Sequence, residues 1–401
     1  MAALVLGCVN ELSEDEGVSK PKNEFRNVIL IGWDGVQRNH LMELYAGGKM
    51  PNLKKLSEKG AIISINVTTG GNSTKPGWAE ILTGYSYRKT GVYSNKRFQA
   101  IPEGYTILER LEKRFGDKNI ETVMIAGKKN NMRSTPPTPA RELEDGRQML
   151  LDMARVNGIT NRKFLEEVER LGKGKKDRIG VINKIMDAIL EKTSNIYKRR
   201  AVTARLRRIR MAFEDRGGQP YYHTSRNIDR WVGDEYRNMT EIGELSLNTI
   251  EGYDGGRFFF FFHFMEPDYT GHRYGENSEE YTRDLILLDG WLGKIMEKLD
   301  DKGMDDTMII VASDHGFSEG QTGHAFAAYT FMAANDPTIV RNGDRKDIAP
   351  TMLETYGIDP GKIKPEIEGK SLREGAGPAA LERHPPTHSP NKQSKNKKKG
   401  Y

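Results

Sequence analysis

Three apolar runs in this chain each lead straight into side chains that bind metals. Asn27-Val-Ile-Leu-Ile-Gly-Trp-Asp34 ends on a carboxylate. The run of phenylalanines at 258–262 leads into Glu266-Pro-Asp-Tyr-Thr-Gly-His272. Thr307-Met-Ile-Ile-Val-Ala-Ser-Asp-His-Gly316 closes on Asp314 and His315, and His324 follows a short glycine-rich loop. Short apolar runs that stop at a turn read as buried strands. In a parallel α/β sheet the carboxyl ends of the strands line one crevice, so residues distant in sequence meet there. Asp34, Thr74, Asp268, His272, Asp314, His315 and His324 then form one candidate constellation. Carboxylates and imidazoles around a single hydroxyl suit a two-metal site for phosphoryl or sulfuryl transfer.

The rest of the chain is organised around these runs. Strands are predicted at 28–31, 61–67, 122–126, 258–262 and 307–313. Helices are predicted at 41–45, 53–59, 76–82, 279–298 and around 231–251. The alternation predicts an α/β fold with a mainly parallel sheet. Residues 131–225 differ in character. The linker Arg133-Ser-Thr-Pro-Pro-Thr-Pro-Ala140 is followed by charged helical stretches, and 198–216 holds eight basic and two acidic residues. This segment is expected to be a helical insert or cap. Its basic helix is either a solvated amphipathic face or a device that steers anionic substrates. The expected division is an N-terminal signal or tether over 1–24, a catalytic domain over 25–372 containing the insert, and a disordered tail over 373–401.

Composition excludes several classes. The 401 residues are 36% hydrophobic and 29% charged, as in a globular enzyme. No apolar run of about 18 residues occurs that would span a bilayer. The net charge of +6 owes much to five lysines between 392 and 399, so specific nucleic-acid binding is not expected. The one cysteine, Cys8, excludes an intrachain disulfide framework. Leu4-Val-Leu-Gly-Cys8 has the form of a lipoprotein cleavage box, which would give membrane attachment through a lipidated Cys8 and an extracytoplasmic location, periplasmic or cell-surface. An ordinary apolar N-terminus explains it equally well.

Single residues keep two readings at this level. Thr74 precedes Pro76 at a helix start, where a hydroxyl is most often an N-cap. The same helix terminus also favours an incoming anion, and Ser73 competes with Thr74 as nucleophile. Lys128 follows a strand end, as an anion ligand or an ordinary surface lysine. His263 is a core histidine or a substrate contact, and Trp33 a packing residue.

Taken together, these motifs resemble the alkaline phosphatase superfamily, and within it the type I phosphodiesterase/nucleotide pyrophosphatase branch. The resemblance covers about 27–130 and 226–372. It is carried by Thr74-Lys-Pro-Gly-Trp-Ala-Glu-Ile-Leu-Thr-Gly84, by Glu266-Pro-Asp-Tyr-Thr-Gly-His-Arg-Tyr-Gly275 and by Ser313-Asp-His-Gly316. Asp347-Ile-Ala-Pro-Thr-Met-Leu353 and Glu368-Gly-Lys-Ser-Leu372 are similar to the superfamily's C-terminal part. The resemblance implies a three-layer α/β/α sandwich and two divalent ions, zinc in preference to manganese. One ion would be held by Asp268, His272 and His324, the other by Asp34, Asp314 and His315. Thr74 would be the nucleophile of a phosphodiesterase acting on a small anionic ester through a covalent phosphothreonine. Two departures stand out. That branch has Asn three residues after the nucleophile, where this chain has Gly77. Residues 122–128 resemble the second sulfatase signature, whose lysine contacts the transferred group. Sulfatases, however, have Cys or Ser at the nucleophile. The alternatives are therefore a sulfatase or phosphonate/phosphate monoester hydrolase, an inactive anion-binding protein, or a phosphoglycerate mutase or phosphopentomutase.

Overall fold

A computed structural model describes residues 25–68, 71–171, 179–193 and 196–373. The Cys8 segment and the lysine-rich tail lie outside the described residues. Eight strands form one sheet: β1 Asn27–Asp34, β2 Ala61–Asn66, β3 Glu121–Ala126, β4 Arg230–Val232, β5 Phe258–Pro267, β6 Thr307–Ala312, β7 Tyr329–Ala334 and β8 Gly343–Asp344. Their order is β4-β3-β5-β1-β6-β7-β2-β8. β4, β3, β5, β1 and β6 run parallel, whereas β7 is antiparallel to both β6 and β2.

Alternation along the strands builds two cores. Phe259 and Phe261 face one side with Leu30, Met124 and Ile310. Phe258, Phe260 and Phe262 face the other with Ile29, Ile31 and Val311. The first face is covered by the Thr74–Thr83, Ile107–Phe115 and Ile348–Thr355 helices, which contribute Trp78, Leu111 and Met352. The second is covered by the Pro51–Glu58, Met239–Glu251 and Glu279–Asp301 helices, through Leu53, Ile242 and Leu285. The result is a three-layer α/β/α sandwich. A strand buried on both faces needs no polar alternation, which is why five successive phenylalanines are tolerated.

The structure adds to the sequence reading the Ile107–Phe115 and Ile348–Thr355 helices, and it differs at β4 and β7. The helix expected around 231–251 begins only at Met239, because Asn238 and Glu241 form a capping box that fixes its start. Trp231 instead lies in the edge strand β4, paired with Met124 of β3. The antiparallel β7 was not anticipated; it inserts between β6 and β2.

Between β3 and β4 the chain forms the Ala140–Val156, Arg162–Glu169, Ile179–Lys192 and Ile196–Glu214 helices. These have an apolar core of their own, including Leu150, Val168, Ile185, Leu206 and Phe213. The chain leaves and returns at one point, where Gln219 N–H donates to the Thr135 carbonyl at 2.9 Å. No helix among the described residues is long and apolar enough to cross a membrane.

Candidate active site

β1, β3, β5 and β6 are neighbours, and their carboxyl ends deliver Asp34, Lys128, Asp268 and Asp314 to one crevice. The β1–β5 register shifts after Trp33, so that Asp34 pairs with Pro267 and stands beside Asp268. Gly35 follows with φ +72°, and a Cβ there would lie 2.7 Å from that of Asp268. This close approach lets β1 turn away without pushing the two carboxylates apart.

Two groups of three ligand-type residues result. Asp34, Asp314 and His315 form one and Asp268, His315 and His324 the other, each with ligand atoms within 4.8 Å of one another. His315 is common to both. His272 approaches Asp268 from the solvent side, with Nε2 3.3 Å from Asp268 Oδ1 and its side chain 46% exposed. Its Nδ1 lies 2.7 Å from the Thr322 carbonyl, which fixes the ring. The His272 and His324 ring centres are 5.2 Å apart.

Three buried atoms in this crevice have no hydrogen-bond partner among the described residues: Asp268 Oδ1, Asp314 Oδ2 and His315 Nε2. His315 Nε2 lies 3.6 Å from the first and 3.5 Å from the second. Buried polar atoms in proteins are almost always paired. Orphans that converge at these separations are what a cation's ligands look like, and the oxygen and imidazole donors suit zinc or manganese.

A lysine joins the two groups. Lys128 Nζ is 2.9 Å from Asp34 Oδ1, 2.5 Å from Asp268 Oδ2 and 2.9 Å from Thr74 Oγ1. It is therefore an element of the site and not a surface lysine. Thr74 is the first residue of its helix. Ser73 holds the N-cap position without a side-chain cap bond. The Thr74 hydroxyl instead faces Asp34 Oδ1 at 3.5 Å, so the N-cap reading of Thr74 does not hold.

The electrostatics follow from burial and these contacts. Burial would raise the Asp34 carboxyl, but Lys128, then His263 and His315, hold it well below its ordinary value. Asp314 is pushed up to about 7 by burial and by the charge on Asp34. Burial acts to lower Lys128, yet the carboxylates of Asp268, Asp34 and Asp314 raise it and keep the ammonium charged. His315 rises to about 9, because Asp314 and Asp34 outweigh its burial. His324 falls to about 4 through burial and the neighbouring His315.

Several supporting residues were not legible as such. His263 is fully buried, and its Nε2 lies 2.9 Å from Asp34 Oδ2. It is the core histidine the sequence allowed, packed on Trp78 and Phe261, and its bond to Asp34 Oδ2 also holds that carboxylate from behind. Arg345, also fully buried, donates to the carbonyls of Asp314 at 2.8 Å and Gly71 at 3.0 Å, and pairs with Glu80 at 2.8 Å. It ties the β6 turn to the Thr74–Thr83 helix. The only available signal was its place two residues before Asp347. Lys75 is buried beside Thr74, with Nζ 2.9 Å from Gln219 Oε1 and 3.2 Å from the centre of the Phe98 ring. Burial pushes its ammonium down to about 7. Gln219 brings the end of the insert to the chain neighbour of Thr74.

Gly77 explains one departure from the resemblance. A Cβ at this position would sit 2.6 Å from the Asp314 carbonyl oxygen and 2.7 Å from its Cβ. The helix packs directly on the Asp314 turn, which leaves no room for an asparagine.

The profile of the type I phosphodiesterase / nucleotide pyrophosphatase family matches residues 28–372. The chain belongs to that family. Among curated proteins it is 39% identical over 131 residues to venom phosphodiesterase CdcPDE of Crotalus durissus collilineatus, covering 26% of this chain and 15% of that protein. It is 30% identical over 142 residues to the 2,3-bisphosphoglycerate-independent phosphoglycerate mutase of Paracoccus denitrificans, covering 32% of this chain and 26% of that one. The chain thus spans about a quarter or less of the length of these relatives. Among solved structures, the alkaline phosphatase of the Antarctic bacterium TAB5 aligns at 16% identity and TM-score 0.45, over 83% of this chain and 98% of that one.

Proposed function

We propose that this protein is a metal-dependent phosphodiesterase in which Thr74 attacks the phosphorus of a small anionic ester. The observation that carries the reading is the Thr74 hydroxyl, held 2.9 Å from Lys128 Nζ and 3.5 Å from Asp34 Oδ1, beside the group of Asp34, Asp314 and His315. Asp34, Asp314 and His315 would hold one divalent ion, and Asp268, His324 and His315 or His272 the other, with zinc preferred. Such ions supply Lewis-acid stabilisation of attacking and leaving oxygens.

The chain's own residues do the rest. Lys128 donates to Thr74 Oγ1, which favours the alkoxide over the hydroxyl. Asp34 Oδ1 accepts the Thr74 hydrogen bond and orients the hydroxyl, whose proton passes to solvent. Thr74 Oγ1 forms a bond to phosphorus as the ester oxygen departs with its electron pair and takes a proton from solvent. Water then cleaves the phosphothreonine, returning the Thr74 hydroxyl and releasing the phosphoryl product. Lys128 replaces the asparagine that Gly77 excludes, offering a charge where a neutral donor would otherwise stand.

The test is Thr74→Ala, assayed on a phosphodiester, a phosphate monoester and a sulfate ester sharing one chromogenic leaving group, with zinc and after chelation. Zinc-dependent turnover led by the diester, abolished in Thr74→Ala with metal content intact, is expected. Full activity in that variant would sink the proposal. A preference for the sulfate ester would favour the alternative that the contact between Lys128 and Thr74 supports, a sulfatase-like specificity.

A further inference from the structure

The helix Ile196–Glu214 carries seven basic residues and one acid. Its apolar side is spoken for, since Leu206, Ile209 and Phe213 are buried in the insert's own core. The opposite side is not. Arg199, Arg200, Thr203, Ala204, Arg207, Arg208 and Met211 line an open groove of about 520 Å³. All seven are exposed. They recur at three- and four-residue spacing, which places them in one stripe about 18 Å long. No ion pair joins Arg199, Arg200, Arg207 or Arg208 to an acid among the described residues; the one acid of the helix, Glu214, pairs with Arg210.

Four exposed guanidinium groups on one side of the helix, with no acid paired to them among the described residues, suit an anionic partner. The floor of the groove is small or apolar, with Ala204 and with Met211 40% exposed. Arginine stems can cover such a floor while their guanidinium groups stay in water, where planar forks match phosphate oxygens.

We propose that this stripe docks the protein on the surface of a bilayer rich in anionic phospholipid. A bilayer offers both parts of the match at once. Headgroup phosphates meet the guanidinium rim, and the boundary beneath them accepts the Met211 side chain. Clusters of four to eight basic residues on an amphipathic helix bind anionic membranes in this way. Single-stranded nucleic acid would use aromatic platforms for its bases, and among the described residues none that lines the groove is aromatic. The five lysines between 392 and 399 add to the attraction without defining the site.

Cosedimentation of the full chain with vesicles tests this. One set is phosphatidylcholine alone, the other phosphatidylcholine and phosphatidylglycerol in about equal parts. The wild-type chain is expected to sediment with the second set only, and less so as salt rises. Arg200→Gln with Arg207→Gln should lower the partition coefficient about 30-fold, from about 1 kcal/mol for each cation at an anionic surface. The melting temperature should stay unchanged, since neither side chain is buried. Lys397→Gln, Lys398→Gln and Lys399→Gln together should keep the selectivity for anionic vesicles. Equal binding of both vesicle sets by the wild-type chain would overturn the proposal. So would undiminished binding by the arginine variant, selectivity abolished by the lysine variant alone, or capture of an oligonucleotide in preference to anionic vesicles.

Discussion

Lys128→Met separates the lysine's structural role from its chemical one. In the metal-free protein Lys128 is the cation nearest to two buried carboxylates, 2.9 Å from Asp34 and 2.5 Å from Asp268. At an effective dielectric of about 20 each contact is worth about 6 kcal/mol of Coulomb attraction. Desolvation of three charged groups takes back several kcal/mol for each ion. Deleting one partner of such a cluster leaves uncompensated buried charge, and the net cost is about 3–5 kcal/mol. Methionine fills a similar volume, so the loss is electrostatic and not a cavity effect. Denaturant unfolding of chelated wild-type and variant protein should show a gap of that size. With saturating zinc the gap should shrink, because ions then neutralise the same carboxylates. Turnover with zinc should still fall about 10²–10³-fold, the usual effect of removing one donor to a developing charge. A chelated Lys128→Met protein within about 1 kcal/mol of wild type, the range of an exposed ion pair, would refute the reasoning.

Three further outcomes are expected. Phe260→Ala removes a fully buried ring stacked on Phe258 at 4.3 Å, and should cost about 3–5 kcal/mol in denaturant unfolding. Gly77→Ala should lower zinc content and turnover together, because the added Cβ meets the Asp314 carbonyl oxygen at 2.6 Å; a variant with normal zinc binding contradicts this. Glu112, raised to about 7 by burial and by the nearby Asp229, binds its proton more tightly when folded. Its contribution is present below the unfolded value near 4.5 and is lost as pH rises through about 7. Melting temperatures at pH 5 and pH 8 should therefore converge in Glu112→Gln, relative to wild type.

The fold was readable wherever burial is two-sided. The runs ending at Asp34, at 262 and at 313 lie in β1, β5 and β6, because a strand covered on both faces must be apolar throughout. β4 was not readable. Its three residues include one apolar pair, Trp231-Val232, set beside a longer helical pattern, and only its partner β3 makes it a strand. In the site, residues that end strands were visible because strand ends converge. Arg345 and His263 were not, since their work lies in what they touch. Neither a buried guanidinium bonded to carbonyls nor an imidazole behind a carboxylate leaves a mark in spacing. Thr74 shows the same limit. Its segment alone favours a cap, and only the positions of Asp34 and Lys128 show its hydroxyl turned elsewhere.

The insert leaves the sheet after β3 and rejoins it at β4, the outermost strand on that side. Its two stems meet where Gln219 bonds to Thr135. A segment rooted in this way can be lengthened, shortened or exchanged at small thermodynamic cost, because doubling a loop adds only about 0.6 kcal/mol of closure entropy. None of the strands that carry Asp34, Asp268 or Asp314 need move. The molecule is thus divided into a reaction floor that tolerates little drift and a graftable roof. The roof touches that floor through Gln219 and Lys75. Changes in what the protein acts on, or where it acts, can accumulate in the roof while the chemistry beneath stays as it is.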